Sequence, residues 1–441
     1  FLEAIKINPQ YVSSYNNLGH CYTLLNKREE SLKYFLKAIK INPDSYESIN
    51  NLANYYLENG SYEESLNYYF KAIKFNPNNS KIIYNIGNAY FHLGEDKKSE
   101  EYYKKSYLID PGDERLQKNY SILLLKLQRY KEAWPLFDGR LKLKDFSKKN
   151  SNVDNIKEKL WKNENLLKND KILVVKEQGI GDEILYGSMY PDLINNFPNV
   201  IIESDHRLIS LFKRSFDSVN KNRFHNYLNF SGNKKKLEQF KTVIYAGSLG
   251  KLFRNKISDF PKKRFLKSNK KLQEKIKIDL DKLNNLKKVG ISWKSKREHY
   301  GKYKSIDLPL LLPILKLKEL FFINMQYGDC EKEIKEFNNK NKTNIHTFDD
   351  VDLFNDFEGA GALLKNLDLF ITVSNSTAHL AGALGVPTWL IKPKNHATFH
   401  YWNQPKEVSP WYESIKIFSS NNSFEKVVSN IEKEIKIIFN I

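Results

Sequence analysis

Two rhythms of apolar and polar positions divide this chain. Through the first third, Leu18, Leu52, Ile86 and Tyr120 share one phase of a 34-residue period, and Tyr22, Tyr56, Tyr90 and Leu124 share another. Small residues keep register at Gly19, Ala53, Gly87 and Ser121, while Asn8-Pro9, Asn42-Pro43, Asn76-Pro77 and Asp110-Pro111 close each period. A strict period predicts a solenoid, because each unit buries its apolar face only against the next. The unit is expected to be two antiparallel helices, with Gly19 and Gly87 crossing opposite the small residues Ala38, Ala72 and Ser106, and with proline stopping the second helix. Tyr15, Phe35 and Tyr69 are expected to fill the space between helices. The pattern predicts four hairpins over residues 11–143. The fourth is expected to act as a cap, because Arg140 stands where the others carry Ala38, Ala72 or Ser106. Residues 1–8 read as the second helix of an earlier unit, and the missing initiating Met points to an N-terminal truncation.

After Leu143 the rhythm changes. Residues 146–170 are charged and Asn-rich and read as a linker with a short helix near Leu160 and Trp161. Short apolar runs then predict buried strands at 171–177, 200–203 and 242–246, with helical stretches at 182–196 and 208–216. A charged segment, 262–288, precedes a second series of strands at 289–293, 320–325, 345–348, 369–373 and 388–391. Alternating strand and helix signals imply parallel sheets covered by helices. The expectation is an α-solenoid over 1–145 followed by two Rossmann-like α/β domains, 171–268 and 269–441. They would face a cleft that takes ligands at the carboxyl ends of the strands.

The first part resembles the tetratricopeptide repeat, which implies a protein-interaction surface. Charge sharpens the division: the chain carries 71 basic and 52 acidic residues, a net +19. The repeats hold 21 basic and 18 acidic residues, so +16 falls on the remainder. That asymmetry suits an anionic ligand, a nucleic acid or an anionic membrane surface. A Lys-, Asn- and Ile-rich composition with ten Arg also fits translation of AT-rich DNA. Cys21 and Cys330 sit in different modules and imply no disulfide framework, which fits a reducing cytosol. No apolar run reaches the length of a membrane span.

Three motifs carry candidate chemistry. Glu177-Gln-Gly-Ile-Gly-Asp-Glu-Ile-Leu ends the first strand; Gly179 and Gly181 let backbone approach a ligand closely, and Asp182 opens the next helix. The same Asp182 also fits a plain helix cap. A dinucleotide fingerprint would need a third glycine where Ile184 stands, which argues against a nicotinamide oxidoreductase. Ile371-Thr-Val-Ser-Asn-Ser-Thr-Ala-His379 leads a strand into a helix whose exposed amides suit a diphosphate. It also fits a capped helix with a buried histidine. Val289-Gly-Ile-Ser-Trp-Lys-Ser feeds a basic loop, 294–304, that can present an ammonium group to phosphate. Asp350-Val-Asp352 has the Asp-x-Asp spacing of a metal motif but lies in an acidic loop with Asp349.

Together with Asn324-Met-Gln-Tyr-Gly, Lys304-Ser-Ile-Asp-Leu and Ser409-Pro-Trp-Tyr-Glu-Ser, these motifs make residues 171–418 similar to the heptosyltransferase family, glycosyltransferase family 9, as in bacterial repeat proteins with such a half. The resemblance implies a GT-B fold and metal-independent inverting transfer of a hexosyl or heptosyl group from a nucleotide sugar to a glycan or protein hydroxyl. No cofactor is implied. It places the catalytic base on Asp182 and the diphosphate-contacting cation on Lys304. Donor contacts fall on Ser305, Gln326, Ser374, Asn375, Ser376, Thr377 and His379. Ser374 departs from the family's usual Asp, which leaves open a non-catalytic scaffold with a degenerate GT-B region. The implied setting is the cytoplasm, including the inner face of the membrane, with an acceptor docked on the repeats and no nucleic-acid partner.

Overall fold

Helical pairs follow one another at the predicted interval: Val12–Leu24 with Arg28–Ile41, Tyr46–Glu58 with Tyr62–Phe75, Ser80–Leu93 with Asp96–Ile109, and Glu114–Lys126 with Tyr130–Phe137. The computed structural model describes residues 1–441 except 151, 218–221, 296–300, 394–399, 403–406 and 421–422. It divides into two compact units, Phe1–Leu123 with Leu136–Leu143, and Leu124–Pro135 with Lys144–Ile441.

In the first unit each second helix ends two residues before its proline, since proline offers no amide to continue the ladder. Ser45 and Asn79 cap the first helices of their repeats by accepting backbone N–H bonds. Leu52, Ala53, Tyr69, Ala72 and Ile86 are fully buried between neighbouring helices. The glycines do not face the small residues as expected. A Cβ at Gly19 would lie 2.6 Å from the Phe35 ring, and one at Gly87 would lie 2.6 Å from the Tyr103 ring. Glycine therefore makes room for an aromatic ring of the partner helix, while Ala38 and Ser106 are buried about one turn further along it. Ser31 and Ser99 donate to the carbonyls of Gly19 and Gly87 and tie each crossing. Arg140 stands where the other repeats carry a small residue. It is 3% exposed and donates to the Phe137 carbonyl and to Asp138, both at 3.0 Å, because a buried guanidinium needs partners.

Among the described residues, the second unit holds two sheets. Strands β1 (Ile172–Val175), β2 (Ile201–Ser204), β3 (Phe224–Asn226) and β4 (Thr242–Tyr245) form one in the order β3-β2-β1-β4, all parallel. The other contains β5 (Lys287–Ser292), β6 (Leu320–Asn324), β7 (Ile345–His346), β8 (Leu369–Val373), β9 (Thr388–Pro393), β10 (Val408–Ser409) and β11 (Tyr412–Ser420). Its order is β10-β11-β9-β8-β5-β6-β7, with β10 alone antiparallel. Setting β10 aside, the second sheet has the doubly wound order 3-2-1-4-5-6, and the first has its opening 3-2-1-4. Strand order reverses between β1 and β4 and between β5 and β8, and these are the points where such sheets bind ligands.

The apolar runs became strands because both of their faces are covered. β1, β4, β6 and β8 are buried throughout. Val427, Val428, Ile431 and Ile435 of the helix Phe424–Phe439 join Val289, Ile291 and Trp293 in the core of the second sheet. The predicted helix 182–196 is two helices, Ile180–Gly187 and Tyr190–Asn196, with Pro191 opening the second. Residues 159–161, inside the expected linker, run beside β4: Val243 N–H donates to the Lys159 carbonyl and Trp161 N–H to the Val243 carbonyl.

Candidate functional site

The loop after β1 is held by buried carboxylates. Glu177 is fully buried and accepts the Gly247 N–H. Glu183 is also fully buried; it accepts from Ser204 Oγ at 2.8 Å and from Asp205 N–H at 2.9 Å, with Lys176 Nζ 3.3 Å away. Burial pushes the Glu183 carboxyl up, and the lysine and hydrogen bonds oppose the rise. Burial would also raise Asp205, but bonds from Arg207 outweigh it and hold that carboxyl at about 2. These pairs fix the turn that presents Gly179, Gly181 and Asp182. Asp182 is 7% exposed at the third position of the helix Ile180–Gly187, and its Oδ2 accepts the Gly179 N–H at 3.4 Å.

The loop after β8 leads into the helix Ser376–Leu384. Asn375 caps it by accepting the Ala378 N–H at 3.0 Å, and its Nδ2 donates to Ser292 Oγ. Ser292 donates onward to Gln326 Oε1, which also accepts the Trp293 and Lys294 N–H groups. The ends of β5, β6 and β8 are thereby stitched together. Gln326 spends its oxygen on this loop architecture. Ser305 does likewise, accepting the Ser295 N–H and donating to the Gly301 carbonyl. Ser374 Oγ accepts from Trp402 Nε1 at 3.0 Å.

The two switch-point helices meet at Gly181. A Cβ there would lie 2.9 Å from His379 Cδ2 and 3.6 Å from the Ser376 Cα, so a side chain at Gly181 would separate them. His379 is buried within a cage formed by Tyr401, Trp402 and Tyr412, and its Nδ1 lies 2.8 Å from the Tyr412 hydroxyl. Burial, then the Lys304 and His400 charges, push His379 down to about 3, so the imidazole is neutral. Lys304 is 5% exposed. Of the residues singled out from the sequence, Gly181, Asp182, Lys304, Ser376 and His379 gather here, with Ser374 joined through Trp402. Thr377 is buried in the same first turn. A Cβ at Gly179 would meet nothing closer than Asp182 Oδ2, at 4.0 Å. Asp352 is spent on its own turn, accepting from Phe354, Asn355 and the Asn355 side chain. Sequence reasoning gave no role to Tyr412, although its motif stood out, and offered no signal at all for Trp402 or the Lys176–Glu183–Asp205–Arg207 network.

The repeats carry a ladder that the reading also missed. Asn85 Nδ2 and the Tyr69 hydroxyl both donate to Asn54 Oδ1. One period later, Asn119 and Tyr103 donate to Asn88 in the same way. Stacked pairs Tyr22–Tyr34, Tyr56–Tyr68 and Tyr90–Tyr102 repeat beside them.

Profiles described as tetratricopeptide repeats match residues 12–45, 34–67 and 80–113, and one described as a TPR repeat matches 53–94. The chain therefore carries tetratricopeptide repeats. Protein FlbA of Caulobacter vibrioides is 28% identical over 312 residues, covering 68% of this chain and 50% of FlbA. The chain spans about half the length of that relative, and the matched share exceeds what the repeats alone could supply. Among solved structures, MamA is 21% identical over 31% of this chain and 80% of its own, with a TM-score of 0.28. YrrB, described as a TPR protein with an unusual peptide-binding site, is 20% identical over 32% of this chain and 72% of its own, also with a TM-score of 0.28. Among the described residues no helix is long and apolar enough to cross a membrane.

Proposed function

We propose that the chain is a nucleotide-sugar-dependent glycosyltransferase of the GT-B type whose repeats dock a protein or glycan acceptor. The observation that carries this reading is the meeting of the two switch-point helices, which sets Asp182 beside neutral His379 with the buried cation Lys304 near. In the proposed step Asp182 takes the proton of an acceptor hydroxyl as that oxygen bonds to the anomeric carbon. The bond from the anomeric carbon to the donor phosphate oxygen breaks at the same time, and the nucleoside diphosphate leaves with that electron pair. Lys304 and the amides opening the helix Ser376–Leu384 stabilise the leaving charge. One displacement inverts the anomeric centre, and no metal is needed to balance it. The solenoid offers an extended face suited to an acceptor chain.

A second reading, a scaffold without turnover, draws on Ser374, whose hydroxyl is engaged by Trp402 where the family's carboxylate would stand. The experiment is transfer from a panel of nucleotide sugars, followed as released nucleoside diphosphate, with wild type and Asp182→Asn. The expected loss is about a hundredfold or more in rate with donor affinity preserved. Unchanged transfer removes Asp182 from the step, and no transfer by the wild type favours the scaffold.

A further inference from the structure

We propose that Tyr412 is a positioning residue whose hydroxyl donates to Nδ1 of His379 and fixes the imidazole as the tautomer carrying its proton on Nε2, facing the Gly181–Asp182 turn. The inference rests on the glycosyltransferase reading only for what that N–H is used for.

Tyr412 cannot move away from its partner. It is 2% exposed, and its ring packs so closely on the helix Ser376–Leu384 that a Cβ at Gly382 would lie 2.6 Å from it. The preceding residue, Trp411, meets Phe260 edge-on at 4.8 Å, and Phe260 lies 4.7 Å from Tyr130. Trp411, just before β11, and Tyr412, at its start, are therefore clamped by packing.

The direction of the hydrogen bond follows from the surroundings. Burial, and then the Asp182 charge, hold the Tyr412 phenol well above its ordinary value, so it keeps its proton and can give a hydrogen bond. His379 faces Tyr412 on the Nδ1 side, while its Nε2 lies 3.4 Å from where a Gly181 Cβ would be. The turn on that side continues into Asp182. A lone pair directed there would oppose the carboxylate, whereas an N–H is favoured by it. Burial, and then Lys304 and His400, oppose a second proton on the ring. The site thus holds a neutral N–H donor beside the Gly181–Asp182 turn and leaves positive charge to Lys304, so the donor function of His379 does not switch off near neutral pH.

The test is the two-bond nitrogen–proton spectrum of protein labelled at histidine, with His379 assigned from the signal lost in His379→Gln. The expected pattern is an unprotonated Nδ1 and a protonated Nε2 that do not titrate between about pH 5 and 8. Tyr412→Phe should shift the His379 signals toward a tautomer mixture, whereas Trp402→Phe, which alters a ring beside His379 without touching Nδ1, should leave the tautomer unchanged. A protonated Nδ1 in the wild type, titration in that range, or signals unmoved by Tyr412→Phe in a folded variant would overturn the proposal. If Tyr412→Phe does not fold, the wild-type spectrum alone decides the tautomer. No donor or acceptor is needed, so the result stands apart from that of the transfer assay.

Discussion

In the repeats, Tyr69 reaches Asn54 across 15 positions and Asn85 reaches it across 31. In the α/β unit, Asn375 reaches Ser292 across 83 positions, Trp134 reaches Arg254 across 120, and Arg214 reaches Glu358 across 144. Contacts that close within about one period are written into the sequence as a rhythm, since each repeat answers only to its neighbours. Contacts between distant strand ends become visible only when the sheet order brings them together. The boundary runs through the fourth hairpin, whose residues Leu124–Pro135 belong to the α/β unit. Trp134 is fully buried there, donating to the Arg254 carbonyl with its ring on Gly250. Leu32, Leu66 and Glu100 hold that register in the other repeats, so the tryptophan marks where the repeat pattern takes on another duty.

All six tryptophans, Trp134, Trp161, Trp293, Trp389, Trp402 and Trp411, lie in the second unit, so their fluorescence follows it alone, while helical circular dichroism also reports the repeats. Trp134→Ala should have the largest effect, about 3–5 kcal/mol, the usual cost of truncating a buried tryptophan. It should move the fluorescence-detected transition in denaturant. An effect confined to the dichroism would place Leu124–Pro135 with the repeats instead. Leu52→Ala, at a fully buried repeat position, should cost about 2–4 kcal/mol and move the dichroism-detected transition while leaving fluorescence in place. If both signals move together, the two units unfold as one and the contrast fails. Asn79→Ala removes a cap that accepts from Lys81 and Ile82 N–H groups and should cost about 1 kcal/mol in the dichroism transition alone.

Much of the architecture was legible for physical reasons. The Asn-Pro spacing fixed the repeats, and apolar runs fixed β1, β2 and β4 through β9. β3 was missed because Phe224-His-Asn carries one buried apolar residue at a sheet edge. β11 was missed because Glu413-Ser414 interrupts the alternation between Tyr412 and Ile415, so no clean period of two marks the strand. The glycines of the repeats were legible as crossing points, but not the rings they admit, since the register between two helices is a packing property. In the candidate site, Gly181, Asp182 and His379 could be singled out from glycine turns, strand ends and family resemblance. Tyr412 and Trp402 could not be given roles, because they reach His379 and Ser374 from elements whose placement depends on sheet order. Gln326 was legible as a strand-end residue, but its three bonds to Ser292, Trp293 and Lys294 were not.

The proposed function requires the paired switch points to bind a nucleoside diphosphate through Lys304 and the helix Ser376–Leu384. Titration calorimetry of wild type and Lys304→Ala with a series of nucleoside diphosphates and their parent nucleosides tests it directly. The wild type is expected to bind at least one diphosphate more tightly than its nucleoside. Lys304→Ala should weaken the diphosphate by about tenfold or more, the scale of a hydrogen bond to a charged group, and barely affect the nucleoside. Absence of diphosphate binding by the folded wild type, or equal weakening of both ligands, would contradict it.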